Sequence, residues 1–362
     1  MKEDIRQILE AAIRAPSGEN AQPWQFTVCE KGGTAEIEVR IAAERDKSPY
    51  NWGNRASCFA IGAALENMRI TSAGAGLALS FSLLPDPQEP LLAARVSCAR
   101  AGKRAPHILA EAVFERTTNR KPYRADPLSA KDRDALLNAA AESGQGAVRI
   151  TSDPAEMRTL ANVGAANELI MLNNEVLHDF FFSHVNWTPA EDRERKAGFF
   201  IDTLELPPPA RMGFAAVKKW SRARFLNKFL HFNAVASKQN AAVYAQCGAM
   251  GAIVAPKESA ADAIRSGMLL ERVWLEATHR GLSMQPMAGL VFLYLGVRAK
   301  ENGALSPAER EIIEARYADA KRVFSLENET LYFLFRIGAS EPPSARALRF
   351  PLEDVVTVQK QQ

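Results

Sequence analysis

Three polar segments of this 362-residue chain carry residue types able to bind a ligand as well as to fold. The first, APSGENAQPW, covers residues 15–24 and holds no Lys or Arg. Pro16 stands second in it, Ser17 and Asn20 offer donors and acceptors on a turn loosened by Gly18, and Gln22 with Pro23–Trp24 would anchor it to the next strand. Such a loop suits the polar edge of a planar heterocycle; it suits equally a self-capping turn in which Ser17 and Asn20 satisfy their own backbone. The second, FERTTNRKPY, places Arg116, Thr118 and Arg120 at alternate positions. In an extended chain all three point the same way, and two guanidiniums flanking a hydroxyl make a phosphate clamp. A solvated basic linker is the other use of that pattern. The third, GASEPPSARALRFPLEDVV, sets Arg346 and Arg349 after a Pro-rich turn. They would complete an anion site or simply charge a surface tail.

The elements that must position these segments alternate between helix and strand. Apolar spacing predicts a helix over 3–14, and strands at 24–29, 35–42 and 91–98. A long helix, apolar on all sides, is expected at 53–73 and another at 104–116. Ser129 reads as the N-cap of the next, AVRITSD as a strand, and 153–185 as further helix. After PPP at 207–209 comes a basic helical stretch, then a strand at AMGAIVAP, a helix at 259–280, a strand at LVFLYLGV, a helix at 306–322 and a last strand at ETLYFLFRIG. This alternation indicates a mixed α/β or α+β chain.

The chain also repeats itself. GAALENMRITSAGAGL (62–77) and GMLLERVWLEATHRGL (267–282) align without a gap, matching Gly62 to Gly267, Leu65 to Leu270 and Glu66 to Glu271. Both read as a buried helix closed by a C-cap glycine. ILEAA (8–12) and LLNAA (136–140) each end a helix that leads into a strand, across twelve residues in the first copy and six in the second. The second copy has therefore lost the 15–24 loop.

Taken together, these segments resemble the FMN-dependent nitroreductase superfamily. AAIRAPSGENAQPWQF looks like its flavin-edge loop, ERTTNRKPY is similar to its Arg-x-Ser-x-Arg phosphate segment with Thr118 in place of Ser, and the C-terminal segment looks like its phosphate-binding tail. SMQPMAGL (283–290) resembles the turn whose amides approach flavin N5; Ala288–Gly289 stands where Glu-Gly is usual, so only a backbone role carries over to Pro286, Met287, Ala288 and Gly289. Asn240, or Lys238 nearly as well, takes the place of a polar residue facing the flavin pyrimidine. The order of the segments departs from the family: the loop comes first and the phosphate segment opens the second repeat. The resemblance then implies a dimer fused into one chain, as in the tandem Acg-type branch. Residues 1–110 would form one half supplying the loop, and 111–362 the other half supplying clamp, turn and tail, with an insertion or lid at about 174–240. Each half would be an antiparallel-rich sheet flanked by helices, and one flavin site of the pair would survive. By the same resemblance FMN carries electrons from NADH or NADPH to a nitroaromatic, quinone or similar small acceptor, with no side chain acting as acid or base; the alternative is a flavin-binding or flavin-sequestering protein with little turnover. A fused pair would be a monomer or a weak homodimer.

Several other classes are disfavoured by composition. The net charge of +3 and 24% charged residues give no general case for nucleic acid or membrane. MKEDIRQILE has charges where an export signal needs its apolar core, and the longest uncharged run, 239–256, is too polar to span a bilayer. A cytoplasmic location is the expectation, with Cys29, Cys58, Cys98 and Cys247 as free thiols. His178 and His184 lie six apart and lack partners for a metal site. The basic amphipathic stretch 210–230 fits a solvated face, a lid, or contact with a membrane or acidic partner. No Gly-rich dinucleotide fingerprint is present.

Overall fold

The computed structural model describes residues 1–31, 34–102, 104–301 and 303–359. The chain begins with α1 (Glu3–Ala12), β1 (Trp24–Lys31), β2 (Thr34–Ile41), α2 (Arg55–Ala75), β3 (Leu77–Leu83) and β4 (Leu92–Arg100). After the short α3 (Ala112–Glu115) come α4 (Ala130–Ser143), β5 (Ala147–Thr151), α5 (Pro154–Asn173), α6 (Glu175–Ser183), β6 (Val185–Asn186), α7 (Pro189–Arg195) and β7 (Phe199–Phe200). Three helices come next, α8 (Pro208–Ala216), α9 (Trp220–Leu230) and α10 (Phe232–Ala245), then β8 (Ala249–Ala255), α11 (Ala260–His279) and β9 (Ser283–Pro286). The chain closes with α12 (Gly289–Arg298), α13 (Pro307–Val323), β10 (Thr330–Gly338), α14 (Leu352–Val355) and β11 (Val356–Gln359).

This is an α+β fold built on two main sheets. One has the order β11-β1-β2-β4-β3 and the other β5-β8-β10-β9. Without β11, both run first, second, fourth, third along the chain, and every pair is antiparallel. β11 lies parallel to β1, so the C-terminal tail returns to the N-terminal sheet. Between the sheets the two long helices α2 and α11 cross. Each is buried along most of its length. The crossing is close because glycine stands at the contact on both sides. A Cβ on Gly62 would stand 2.8 Å from Ile264 C and 3.0 Å from Met268 N; one on Gly267 would stand 2.8 Å from Phe59 C and 3.2 Å from Ala63 N. The pairs 62/267, 59/264 and 63/268 differ by the same 205 positions, so the two contacts mirror one another. The helices end at Gly76 and Gly281, both in the left-handed region at φ +76° and +71°.

The departures from the sequence-based elements have physical reasons. LVFLYLGV is not a strand but the body of α12, where Tyr294 stacks on Tyr317; a short continuous apolar run fits a buried helix as well as a buried strand. The expected helix at 104–116 is reduced to α3, because Pro106 interrupts it and His107 Nδ1 accepts the Leu109 amide in a turn. The segment 153–185 divides at Asn174, whose side chain accepts the Leu177 amide and caps α6. Residues 239–245, the start of the long uncharged run, belong to α10. β3 joins the expected strands, carried by the alternation of Leu77, Leu79, Phe81 and Leu83. The 15–24 loop separates α1 from β1, whereas only 144–146 separate α4 from β5.

Candidate functional site

A cleft of about 460 Å³ opens where four segments distant in sequence meet. Its lining comes from the loop after α1 (Arg14, Pro16, Ser17, Asn20), the extended segment after α3 (Arg116, Thr118, Arg120), the segment around β7 (Gly198, Phe199, Thr203) and the tail (Arg346, Arg349). Eight sequence-selected residues thus converge: Pro16, Ser17, Asn20, Arg116, Thr118, Arg120, Arg346 and Arg349.

The loop is held in a strained shape. Glu19, Asn20 and Gln22 lie at φ +46°, +54° and +52°, a region that side chains other than Gly seldom occupy. Several bonds impose it. Ser17 Oγ accepts the Gln22 amide at 2.9 Å, so Ser17 caps its own loop. Asn20 Nδ2 donates to Lys196 O at 3.1 Å and to Leu348 O at 3.0 Å, while Asn20 Oδ1 accepts from Arg349 at 2.8 Å. Gln22, fully buried, donates to Lys196 O at 2.8 Å and accepts the Phe350 amide at 2.8 Å. The amides of Asn20 and Gln22 therefore tie the loop, the residue after α7 and the tail together, and Gln22 stands outside the cleft lining.

Five arginines, Arg14 among them, line this one cleft. Arg116 is buried, its Nε 3.0 Å from the fully buried Glu271, its Nη2 donating to Arg14 O at 2.6 Å and its guanidinium 4.7 Å from the Trp274 ring centre. Arg120 donates to Thr203 O and Arg346 to Phe114 O and Glu115 O. Arg349 donates to the carbonyls of Arg14 and Ala15 as well as to Asn20, while its buried Nε is left without a hydrogen-bond partner. Apart from Glu271, these acceptors are neutral. Burial, then the neighbouring Arg116 and Arg14, push Arg349 down to about 9, and burial also lowers Arg116 and Arg120. Burial raises the Glu271 carboxyl to about 7 against the pull of Arg116. An enclosure crowded with cations and short of counter-charge is an anion site, and its planar forks suit phosphate.

The remaining sequence-selected residues lie elsewhere. Thr118 pairs with Met284 in an isolated bridge, so the arginine segment lies along β9, which runs on to the turn at Pro286–Gly289. That turn does not line the cleft: Met287 and Ala288 are buried, the Met287 amide donates to Leu334 O, and a Cβ on Gly289 would stand 2.5 Å from Asn167 Oδ1. Asn240 and Lys238 lie on α10, also outside the lining.

Acidic groups missed by sequence reasoning lie around the loop and turn. Burial, then Asp46, push Glu19 up to about 8. Burial lifts Glu168 to about 7, although the Tyr244 hydroxyl donates to it at 3.0 Å. Glu271 had a visible signal, a carboxylate at the same register as Glu66 in the matching helix, and both are fully buried. Glu19 and Glu168 had none. His178 is a satisfied core histidine, its Nε2 2.8 Å from Val217 O and its ring against Phe182 and Trp220.

Residues 1–50 match the Nitroreductase family model. Over 345 residues the chain is 26% identical to the uncharacterized protein MT1398 of Mycobacterium tuberculosis (strain CDC 1551 / Oshkosh), covering 94% of this chain and 46% of that protein. Over 127 residues it is 27% identical to the putative NAD(P)H nitroreductase acg of M. tuberculosis (strain ATCC 25618 / H37Rv), covering 34% of this chain and 37% of the relative. It thus spans less than half the length of these two relatives. Among solved structures, the FMN-dependent nitroreductase NfnB of Mycobacterium smegmatis, in complex with NADPH, aligns over 70% of this chain and 98% of its own, at 13% identity and a TM-score of 0.38. Through the matched N-terminal segment and the relative acg, the chain is similar to the nitroreductase superfamily.

Proposed function

We propose that the chain is an FMN-dependent oxidoreductase that uses NAD(P)H and passes electrons to a nitroaromatic, quinone or similar small acceptor. The observation that carries this reading is the cleft itself: five arginines against one buried carboxylate, faced by the strained loop after α1. FMN suits that lining, since a dianionic phosphate supplies the counter-charge that carbonyl acceptors do not, and the unpartnered Arg349 Nε offers a further donor. Arg116, Thr118, Arg120, Arg346 and Arg349 would hold the phosphate. Pro16, Ser17 and Asn20 would border the ring edge, with Gln22 holding the loop in shape, while the amides of Met287–Gly289 and Asn240 are assigned to the ring on the resemblance alone. When bound, FMN supplies the exchange of electrons between nicotinamide and acceptor. The chain's own part is position and charge: Glu271 restrains Arg116, and Gln22 and Asn20 keep loop and tail in register.

The same reading takes the molecule as a fused pair, residues 1–110 giving the loop and 111–362 the cations, and acting as a monomer or weak homodimer. Its support is the shared strand order and the mirrored contacts of Gly62 and Gly267. A second reading, flavin sequestration with little turnover, is favoured by one wall of the cleft. Gly198, Phe199 and Thr203 belong to the insertion, which Asn20 and Gln22 fasten at Lys196 O. Anaerobic mixing of the flavin-loaded protein with NADPH, then a quinone, separates the two: bleaching followed by recovery supports the oxidoreductase, and flavin that stays yellow refutes it. Replacing Arg116 and Arg120 together by Ala should abolish flavin retention, and a yellow double variant would refute the clamp.

A further inference from the structure

The helices α8, α9 and α10 lie in a stretch with an unusual charge pattern. Residues 206–257 contain no Asp or Glu, where a chain with 42 acids in 362 residues would place about six. Seven cations, Arg211, Lys218, Lys219, Arg222, Arg224, Lys228 and Lys238, stand on these helices or the link between them, and all are exposed. Only Arg211 has a carboxylate partner among the described residues, Asp202.

Large apolar side chains are exposed beside them. Met212 is 76% exposed, Leu230 64%, Phe225 and Phe229 59% each, and Val235 50%. Phe225 and Phe229 lie one turn apart on α9 with ring centres 4.8 Å apart, and the Lys228 ammonium is 5.4 Å from the Phe229 ring centre. The opposite side is well anchored: Phe214, Trp220, Leu226, Phe232 and Ala236 pack into the core, and Asn227 Nδ2 donates to Leu172 O. The outward face is therefore held rigidly, with its aromatic pair projecting between cations.

We infer that this face docks the protein on an anionic lipid bilayer, with Phe225, Phe229 and Leu230 entering the interface and Arg222, Arg224 and Lys228 meeting lipid phosphates. Cations beside a projecting apolar set, with no acid to repel the surface, are the elements of interfacial binding. The aliphatic Met212, Leu230 and Val235 gain nothing from a nucleic-acid backbone, whereas they gain burial at a lipid interface. The chain-wide charge gave no case for a membrane because it averages this basic face with the more acidic remainder.

The test is sedimentation of the full-length chain with vesicles of phosphatidylcholine alone or mixed with phosphatidylglycerol. The expected result is binding to the mixed vesicles, weakened by salt and absent with phosphatidylcholine alone. Phe225→Ser/Phe229→Ser should reduce it roughly tenfold or more, as should Arg222→Gln/Lys228→Gln, whereas Arg346→Ala in the cleft leaves it unchanged. Circular dichroism checks that each variant is folded, and light scattering gives its mass. Absence of vesicle binding overturns the inference, as does binding that neither face variant reduces. It is also overturned if duplex DNA binds with the same dependence on both phenylalanines, or if the wild type is a dimer that Phe225→Ser/Phe229→Ser dissolves, making the face a contact between copies.

Discussion

Gly62→Ala tests the helix crossing on which the cleft depends. The added methyl would lie 2.8 Å from Ile264 C and 3.0 Å from Met268 N, with Ile264 O nearer still. Carbon contacts are comfortable near about 3.5–4.0 Å, so α2 and α11 must part by roughly 1 Å. The obstructing atoms are helical backbone, which cannot turn aside as a side chain would. Overpacking of this kind costs about 1–3 kcal/mol, and parting two long buried helices adds to it, while Ala returns about 1 kcal/mol of helix propensity. The net expectation is a loss of about 2 kcal/mol or more. Gly267→Ala should cost a similar amount, because its contacts with Phe59 and Ala63 mirror those of Gly62. The double variant should cost less than the sum, since both methyls enter one gap. Urea unfolding of the three variants measures this, with Gly102→Ala as a control, a position with nothing within 4 Å of an added Cβ. Either single variant within about 0.5 kcal/mol of wild type would refute the packing argument.

Glu271→Gln should destabilise the fold by about 3 kcal/mol, because it leaves the buried Arg116 guanidinium without its carboxylate at 3.0 Å. Inorganic phosphate should then raise the melting temperature of the variant more than that of wild type, and equal shifts would sink the counter-charge argument. Glu19, pushed up to about 8, holds its proton in the folded chain at pH values where the unfolded chain, near the ordinary 4.5, has lost it. Its contribution to stability therefore falls as pH rises from about 4.5 to 8, and Glu168, pushed to about 7, adds the same trend. Glu19→Gln should flatten the decline, by on the order of 3 kcal/mol at pH 8, in denaturant unfolding across that range; an unchanged slope would refute the burial argument.

Much of the cleft was legible in the sequence because its donors come in short local patterns. Alternating Arg116, Thr118 and Arg120, the paired Arg346 and Arg349, and the polar loop around Ser17 each offered a binding chemistry beside a purely structural one, and Ser17 takes the structural one by capping its own loop. Their meeting was legible only through the order of segments, since nothing local links residue 20 to residue 349. The uses of Asn20 and Gln22 were not legible: both amides bind carbonyls or amides some 175 and 330 positions away, which no local pattern reveals. The same limit hid the burial of Glu19 and Glu168, fixed by packing between distant segments. LVFLYLGV shows the other failure, for an apolar octet contains no period to distinguish β from α, and here the surrounding core selects the helix.

On the proposed function each chain carries one composite anion site, built from the loop after α1 and the arginines of the later segments. Its direct measurement is the flavin content of the purified chain after incubation with FMN and desalting, read from the flavin absorbance bands against protein concentration. The expected result is one FMN per 362-residue chain, displaced by excess inorganic phosphate and absent from Arg116→Ala/Arg120→Ala. A colourless wild-type protein, or two FMN per chain, would contradict it.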